Sequence, residues 1–340
     1  MAPDKIKIFE MFSGYGGASF SLKKAKIPYQ CVGISEIDKD AIKCYNDNFK
    51  NVPNFGDCSK IDVNILPDFD LLTGGFPCQP FSEAGKHGGI NDTRGTLFHH
   101  IIRIAEYKKP KYMILENVKG LTFQNHQKTL NLILSEIRRI GYKVDYRVLN
   151  SKNFGTPQSR ERVVFLCLRD DINNPIVFPK SHQLKIFLKD IIEVDINFSY
   201  KKPNEIWRQG FKIENYPSKN IFSTDKHEIL SVAIRNKNRA KHQHLNLPYG
   251  SFPVEHHLKY NEDLGVSYTV KSAKHEFMIS NFELTKMRYL TSKEAFRLMG
   301  FFKDEIKLDV ISETGRFKLA GNGWDINLFS QVVSSFLFDR

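Results

Sequence analysis

The segment Ile6-Lys7-Ile8-Phe9-Glu10-Met11-Phe12-Ser13-Gly14-Tyr15-Gly16-Gly17 decides the fold class of this chain. Its apolar start predicts a β-strand, its glycines predict a tight turn, and residues 18–25 after it predict a helix. This order opens a doubly wound α/β sheet, in which the glycine turn lets the backbone approach a ligand. The turn lacks the third glycine of a dinucleotide-binding fold, which disfavours an oxidoreductase.

Strand and helix patterns alternate through the first 180 residues. Apolar residues recur at helical spacing over 130–140, and Gly141 follows where a helix is expected to stop. Because strands that alternate with helices form parallel sheets, we expect a mainly parallel sheet in a domain of residues 1–180. The predicted strands are 30–35, 55–57, 70–73, 111–115, 142–149 and 162–168, and the predicted helices are 40–48, 97–107 and 130–140.

The alternation fades after about residue 180. We predict a smaller second domain over 181–285, whose fold the sequence leaves open, and a hinge region over 286–315. A C-terminal helix within 316–340 is expected to return to the first domain. The basic run 235–241 in the second domain is by itself typical of a solvated surface.

Composition narrows the class of protein. The net charge of +12 and the pI of about 9.3 favour a polyanionic partner, because each cation placed on a phosphate releases condensed counterions. The apolar runs are too short to cross a bilayer and the start lacks a secretory stretch, so we expect a cytoplasmic protein with no membrane contact. The five cysteines show no Cys-x-x-Cys spacing, so neither a disulfide framework nor a metal site is predicted.

The segment Gly74-Gly75-Phe76-Pro77-Cys78-Gln79-Pro80-Phe81-Ser82 holds a cysteine in a stiff loop after a predicted strand. The two prolines fix their φ angles, and the carboxyl end of a strand is where open α/β sheets bind ligands. Cys78 is therefore a candidate nucleophile. A small buried residue is the alternative, which would be favoured for a lone cysteine.

Three side chains that follow predicted strands suit an adenosine without phosphates. Phe12 can stack on a purine, Glu36 can accept from two ribose hydroxyls, and Asp57 can accept from an exocyclic amine. S-adenosylmethionine is a ligand of this kind. Each residue also has an ordinary explanation, as a core aromatic or a solvated acid.

Several motifs then occur in the order typical of one family, and the chain resembles a cytosine-C5 DNA methyltransferase of the bacterial or phage restriction-modification type. The resemblance covers both ends of the chain and leaves out the middle. The motifs are Phe12-Ser13-Gly14-Tyr15-Gly16-Gly17, Gly75-Phe76-Pro77-Cys78-Gln79-Pro80, 92–98, Glu116-Asn117-Val118, Gln158-Ser159-Arg160-Glu161-Arg162, 288–301 and Gly321-Asn322.

The resemblance implies a reaction and a fold. Cys78 would add to carbon 6 of cytosine, Glu116 would protonate ring nitrogen N3, and Arg162 would bind the oxygen at position 2, with Arg160 adding positive charge. The enamine formed would take a methyl group from S-adenosylmethionine, giving 5-methylcytosine without a metal. The implied fold is the doubly wound, mostly parallel sheet of S-adenosylmethionine-dependent methyltransferases, with residues 181–285 as target-recognition domain.

Further contacts follow from the same resemblance. The target cytosine must leave the duplex to be reached, with the loop 82–94 closing over it. The residues implied to contact DNA are Gln79, Ser82, Arg94 and Thr269. The residues implied to contact the cofactor are Phe12, Ser13, Gly14, Gly16, Gly17, Glu36, Ile37, Asp57, Cys58, Gly75, Pro77, Asn322 and Gly323.

One position departs from the family pattern. Gly323 and Trp324 stand where the family usually has a serine and a small or branched apolar residue. We expect the methionine carboxylate to lack one hydrogen bond, and a Gly323→Ser substitution to tighten cofactor binding about tenfold.

Two other functions remain open from the sequence. A tRNA cytosine-C5 methyltransferase uses the same catalytic set, although its characteristic Cys-Phe-Thr tripeptide is absent here. A catalytically inactive DNA-binding regulator would not need the intact set of Cys78, Glu116 and Arg162. We expect a monomer that acts on double-stranded DNA, and whether a cognate restriction endonuclease accompanies it is left open.

Overall fold

The computed structural model describes residues 5–76, 97–193, 212–214, 229–236, 256–260, 266–270, 277–281 and 287–338. Strands and helices alternate along its first part, as the sequence predicts. The strands there are β1 (Ile6–Met11), β2 (Tyr29–Ser35), β3 (Leu71–Gly75), β4 (Tyr112–Val118), β5 (Tyr142–Asn150), β6 (Gln158–Ser159) and β7 (Glu161–Arg169). The helices of the described residues are α1 (Gly17–Lys24), α2 (Lys39–Asn48), α3 (Leu97–Lys108), α4 (Gln127–Arg139), α5 (Leu188–Ile191), α6 (Ser292–Arg297), α7 (Glu313–Asn322) and α8 (Ile326–Phe338).

The main sheet has six strands in the order β2-β1-β3-β4-β7-β5. The pairs β1–β2, β1–β3 and β3–β4 are parallel, whereas β7 runs antiparallel to both β4 and β5. The prediction of a mostly parallel, doubly wound sheet is confirmed. Since β1 to β4 end at the same edge, the residues that follow them are brought together there.

Neighbouring residues of each strand enter separate cores on the two faces of the sheet. Phe9 and Leu72 pack in the core that contains α3 and α4. Ile8 and Leu71 pack in the core that contains α1 and α8. Both faces are therefore covered by helices, which explains why the central strands are apolar at successive positions.

A second sheet lies between residues 212 and 289, largely within the region whose fold the sequence left open. It has the strand order β13-β12-β9-β10-β8, and its pairs are antiparallel except for β8 with β10. A separate two-residue strand, β11 (Ser267–Tyr268), pairs with β6. The other strands are β8 (Lys212–Glu214), β9 (Ile229–Asn236), β10 (His256–Tyr260), β12 (Phe277–Asn281) and β13 (Met287–Tyr289).

One predicted strand is absent from the structure, and the predicted C-terminal helix is present. Residues 55–57 are not a strand, because Gly56 has a φ of +71° and only Asn54 forms an isolated bridge, with Ile34. The predicted C-terminal helix within 316–340 corresponds to α8, which begins at residue 326. The end of α7 also falls in this range, and Ser312 caps the start of α7 by accepting from the Gly315 N–H at 3.1 Å.

None of the helices in the described part of the chain is both long enough and apolar enough to cross a membrane.

The packing of α8 gives a test of the fold. Leu328 is 1% exposed in the core beneath α1, so Leu328→Ala leaves a cavity and is expected to lower the free energy of unfolding by about 2–5 kcal/mol. The exposed Ser334 on the same helix is the control, and Ser334→Ala should stay within about 0.5 kcal/mol. Urea denaturation of both variants measures the difference; equal losses would contradict this packing.

Candidate active site

A cavity of about 580 Å³ opens at the edge where β1, β3 and β4 end. The turn after β1, the ends of β3 and β4, and the end of α7 form its walls. It brings together eleven of the residues predicted for the site: Phe12, Ser13, Gly14, Gly17, Glu36, Gly75, Glu116, Arg160, Arg162, Asn322 and Gly323.

Four predicted cofactor residues do not line this cavity. Gly16 is the N-cap of α1, Ile37 is 71% exposed, and Cys58 is buried. The Asp57 carboxylate accepts from the backbone N–H of Ser59 at 2.9 Å, which lowers the pKa of Asp57.

The predicted DNA contact Thr269 does not line the cavity either, and its hydroxyl donates to the carbonyl of Ser159, the residue before Arg160, at 2.6 Å. Five predicted site residues lie outside the described residues: Pro77, Cys78, Gln79, Ser82 and Arg94.

The turn after β1 is held by Glu36, at the end of β2. One carboxylate oxygen of Glu36 accepts from the Gly14 N–H at 2.9 Å, and the other accepts from the N–H groups of Ile37 and Asp38, each at 2.9 Å. Phe12 adopts a φ of +54°, which is uncommon for a residue other than glycine and bends the chain into the turn. Glu36 and the backbone of Phe12 therefore both shape the turn.

A buried acid anchors the same turn from the other side. Glu10 is 1% exposed and accepts from the Tyr45 hydroxyl at 3.0 Å, the Ala18 N–H at 3.2 Å and the Ser19 hydroxyl. Burial raises the pKa of Glu10. No role was predicted for Glu10, although an acid inside an apolar strand indicates buried partners.

Glu116 and Arg162 form an ion pair inside the cavity. The Nε of Arg162 lies 2.8 Å from Oε1 of Glu116, and the two side chains are 15% and 11% exposed. Burial raises the pKa of Glu116, and the charge of Arg162 opposes that rise. A carboxyl that holds a proton beside a guanidinium can donate to a ring nitrogen while the guanidinium binds a neighbouring oxygen.

Arg160 has a different environment from Arg162. It is 2% exposed, and its guanidinium donates to three carbonyl groups: Gly323 at 2.7 Å, Gly321 at 3.1 Å and Val270 at 3.3 Å. The first two carbonyls belong to the end of α7, where a cation also meets the negative end of the helix dipole. Arg160 thus joins the wall of the cavity to a segment beyond residue 265.

Two polar groups on the cavity wall are buried without a partner among the described residues. They are the hydroxyl of Ser13 and the side-chain N–H groups of Asn117. Buried polar groups are rarely left unsatisfied, so both are available to a ligand. Asn117 lay within a quoted motif, but no role was predicted for it.

The expectation for Gly323 is contradicted. Its φ of −84° and ψ of 175° are accessible to any residue, but a Cβ there would lie 2.8 Å from the Tyr15 hydroxyl oxygen and closer still to the Tyr15 ring. Tyr15 is 1% exposed and donates to the Trp324 carbonyl. A serine therefore has no space at position 323, and the expected gain in cofactor affinity is wrong.

The sequence of this chain is similar to those of known methyltransferases. A model of the family described as C-5 cytosine-specific DNA methylase matches residues 6–336. The Type II methyltransferase M1.ScrFI of Lactococcus lactis subsp. cremoris is 34% identical over 336 residues, which are 98% of this chain and 78% of that protein. The orphan methyltransferases M.Rho11sI of Bacillus phage rho11s and M.SPRI of Bacillus phage SPR are 46% and 41% identical, over 49% and 58% of this chain. The chain matches only 34% and 46% of the length of these two phage proteins.

Solved structures share the fold. A mutant of Spodoptera frugiperda DNMT2 has a TM-score of 0.66 at 21% identity, covering 98% of this chain and 100% of that chain. A putative DNA modification methyltransferase from an E. coli prophage has a TM-score of 0.63 at 17% identity, covering 98% of this chain and 99% of that chain.

The contact between Gly323 and Tyr15 generates a prediction. Gly323→Ser overpacks the site and should lower the free energy of unfolding by about 1–3 kcal/mol. In a Tyr15→Leu background the ring is gone, and the same substitution should cost much less. Urea denaturation of the four proteins gives the coupling; an equal cost in both backgrounds would show that Tyr15 is not the obstacle.

The pKa of Glu116 generates a second prediction. Because its pKa is raised in the folded protein above the ordinary 4.5, wild type loses stability as pH rises from that value through the folded pKa. Glu116→Gln carries no such titration. The stability of this variant relative to wild type should therefore increase with pH and then level off, as measured by urea denaturation between pH 4 and 8.

Glu106→Gln is the control for this comparison, since it removes a carboxylate whose side chain is 51% exposed. A stability difference between Glu116→Gln and wild type that falls as pH rises would contradict the raised pKa.

Proposed function

The chain belongs to the C-5 cytosine-specific DNA methylase family, and we propose that it transfers a methyl group from S-adenosylmethionine to carbon 5 of cytosine in double-stranded DNA. The observation that carries the proposal is the buried pair of Glu116 and Arg162, which shares one cavity with the glycine turn after β1. A base and a methyl donor bound in one cavity can react directly with each other.

The residues of the turn fit the proposed cofactor. Phe12 offers a ring for an adenine, and Glu36 offers a carboxylate for ribose hydroxyls at the cavity wall. The unpartnered groups of Ser13 and Asn117 and the adjacent Asn322 supply further polar contacts. When bound, S-adenosylmethionine supplies a methyl group on a sulfonium, which an activated carbon can accept.

The proposed chemistry activates the cytosine ring. Cys78 adds to carbon 6 as a thiolate, which breaks the double bond between carbons 5 and 6. Glu116 gives its proton to N3, and Arg162 binds the oxygen at position 2, so the electrons collect at carbon 5. After methylation, loss of the carbon 5 proton expels Cys78 and restores the double bond.

Arg160 takes a different role in this proposal from the one that the resemblance implied. Its hydrogen bonds go to the carbonyls of Val270, Gly321 and Gly323, so we assign it to holding the cavity wall. Its charge adds to the field at Glu116.

DNA recognition is proposed for the region 181–285, with Gln79, Ser82, Arg94 and Thr269 as contacts near the flipped base. The net charge of +12 supports a nucleic-acid partner. The relative M1.ScrFI is named a Type II methyltransferase, which supports a role in restriction-modification beside an endonuclease that acts independently. We further propose a cytoplasmic monomer.

Methylation in cells tests the function. Bisulfite sequencing of DNA from bacteria that express wild type should show methylcytosine at one recurring sequence, and Cys78→Ala should remove it. Cys167→Ala, a substitution within β7, is the control and should retain methylation. The proposal would be wrong if wild type methylates no DNA. If it methylates purified tRNA instead of DNA, the substrate is tRNA, as in the alternative function.

Covalent trapping tests the nucleophile. A duplex with 5-fluorocytosine at the methylated position should form an adduct with wild type that survives denaturing electrophoresis, because fluorine cannot leave as a proton does. Cys78→Ala should form none. An adduct of equal yield in the alanine variant would place the nucleophile elsewhere.

A further inference from the structure

Trp324 lies at the break between α7 and α8 and is held there on two sides. Its indole stacks on Phe329 of α8, with ring centroids 3.9 Å apart and an interplanar angle of 14°. On the side of α1, a Cβ on Gly17 would lie 3.0 Å from the Cβ of Trp324. The side chain is therefore fixed by packing, although it is also part of the cavity wall.

The polar edge of this indole points to Glu116. The Trp324 indole N–H acts on the Glu116 carboxyl and lowers its pKa, and Oε1 of that carboxyl lies 2.8 Å from Nε of Arg162. Gly75 makes the approach possible, because a Cβ there would lie 2.9 Å from Oε2 of Glu116 and 3.2 Å from Nε1 of Trp324. The carboxylate thus lies between the guanidinium of a β7 residue and the indole of the segment before α8.

We propose that Trp324 is a positioning residue of the reaction, whose indole N–H holds the Glu116 carboxyl in the orientation in which it faces the target base together with Arg162. The inference rests on the proposed function for the meaning of Glu116, but the hydrogen bond itself can be tested without activity.

The proposed hydrogen bond also changes the pKa of Glu116 in a definite direction. A donor stabilises the charged carboxylate, so its loss raises the pKa of Glu116 further above the usual range. The other charged or titratable groups that act on Glu116 are Arg162 and Arg160, and the Glu116 charge in turn raises the pKa of Tyr15. Burial raises the pKa of Tyr15 most of all, so its hydroxyl stays neutral.

The first experiment is the pH profile of kcat/KM for methyl transfer. Since Glu116 must carry a proton, the rate should fall on the alkaline side, and Trp324→Phe should move that limb upward by about one pH unit. Phe329→Leu is the control, because it weakens the stack and keeps the donor, so its alkaline limb should match wild type.

The second experiment observes the indole directly. The chain has two tryptophans, so a proton–nitrogen spectrum of the 15N-labelled protein shows two indole signals, and Trp324→Phe identifies one of them. The Trp324 signal should shift with pH as Glu116 titrates, and Glu116→Gln should abolish that shift while the Trp207 signal serves as reference.

The outcomes separate the two claims. An inactive wild type with a titrating Trp324 signal would overturn the proposed function and leave the hydrogen bond in place. The positioning role would be overturned if wild type is active but its Trp324 signal does not shift as Glu116 titrates. It would also be overturned if the alkaline limb of the pH profile is the same in Trp324→Phe as in wild type. A limb that moves equally in Phe329→Leu would also overturn it, because packing alone would then explain the effect.

Discussion

The buried guanidinium of Arg160 is the contact on which the geometry of the cavity depends. It donates to carbonyls of Val270, Gly321 and Gly323, so one side chain ties three distant parts of the chain together. A buried cation is tolerated only when its donors are satisfied, and here backbone oxygens at a helix end satisfy them. The wall that carries Asn322 and Trp324 is therefore placed relative to β7, and with it relative to the Glu116–Arg162 pair.

Much of the fold could be predicted because strands and helices leave local patterns. The apolar runs that form β1, β3 and β4 are buried on both faces over most of their length, and Gly141, at a φ of +88°, follows the end of α4 as a helix-stop signal predicts. The strand predicted over 55–57 is absent because Gly56, at a φ of +71°, interrupts the extended chain. The missed strand β9 has the alternating apolar residues Leu230, Val232 and Ile234, a signal that was overlooked beside the basic run that follows it.

The site was predictable only in part, and the division has a physical reason. Glu116 and Arg162 stand in short motifs, so a resemblance locates them without any knowledge of distance. Tyr15 and Trp324 interact across 309 residues, and no local periodicity encodes such a contact. The expectation that a serine at position 323 would help was wrong for the same reason. The sequence shows that a hydroxyl is missing there, but it does not show that the Tyr15 ring fills the space.

The core shared by α1 and α8 joins two elements that lie near opposite ends of this sequence, because Ile8 and Leu22 pack in one cluster with Phe329 and Val333. Contacts between residues so far apart in the sequence form only after a large loop has closed. The entropic cost of closing that loop slows folding. During synthesis the contacts that α8 makes with this face of the sheet cannot form until about residue 333 has been made. A nascent chain of this protein therefore carries apolar residues of the first strand and of α1 whose packing partners on α8 are among the last residues to be synthesised.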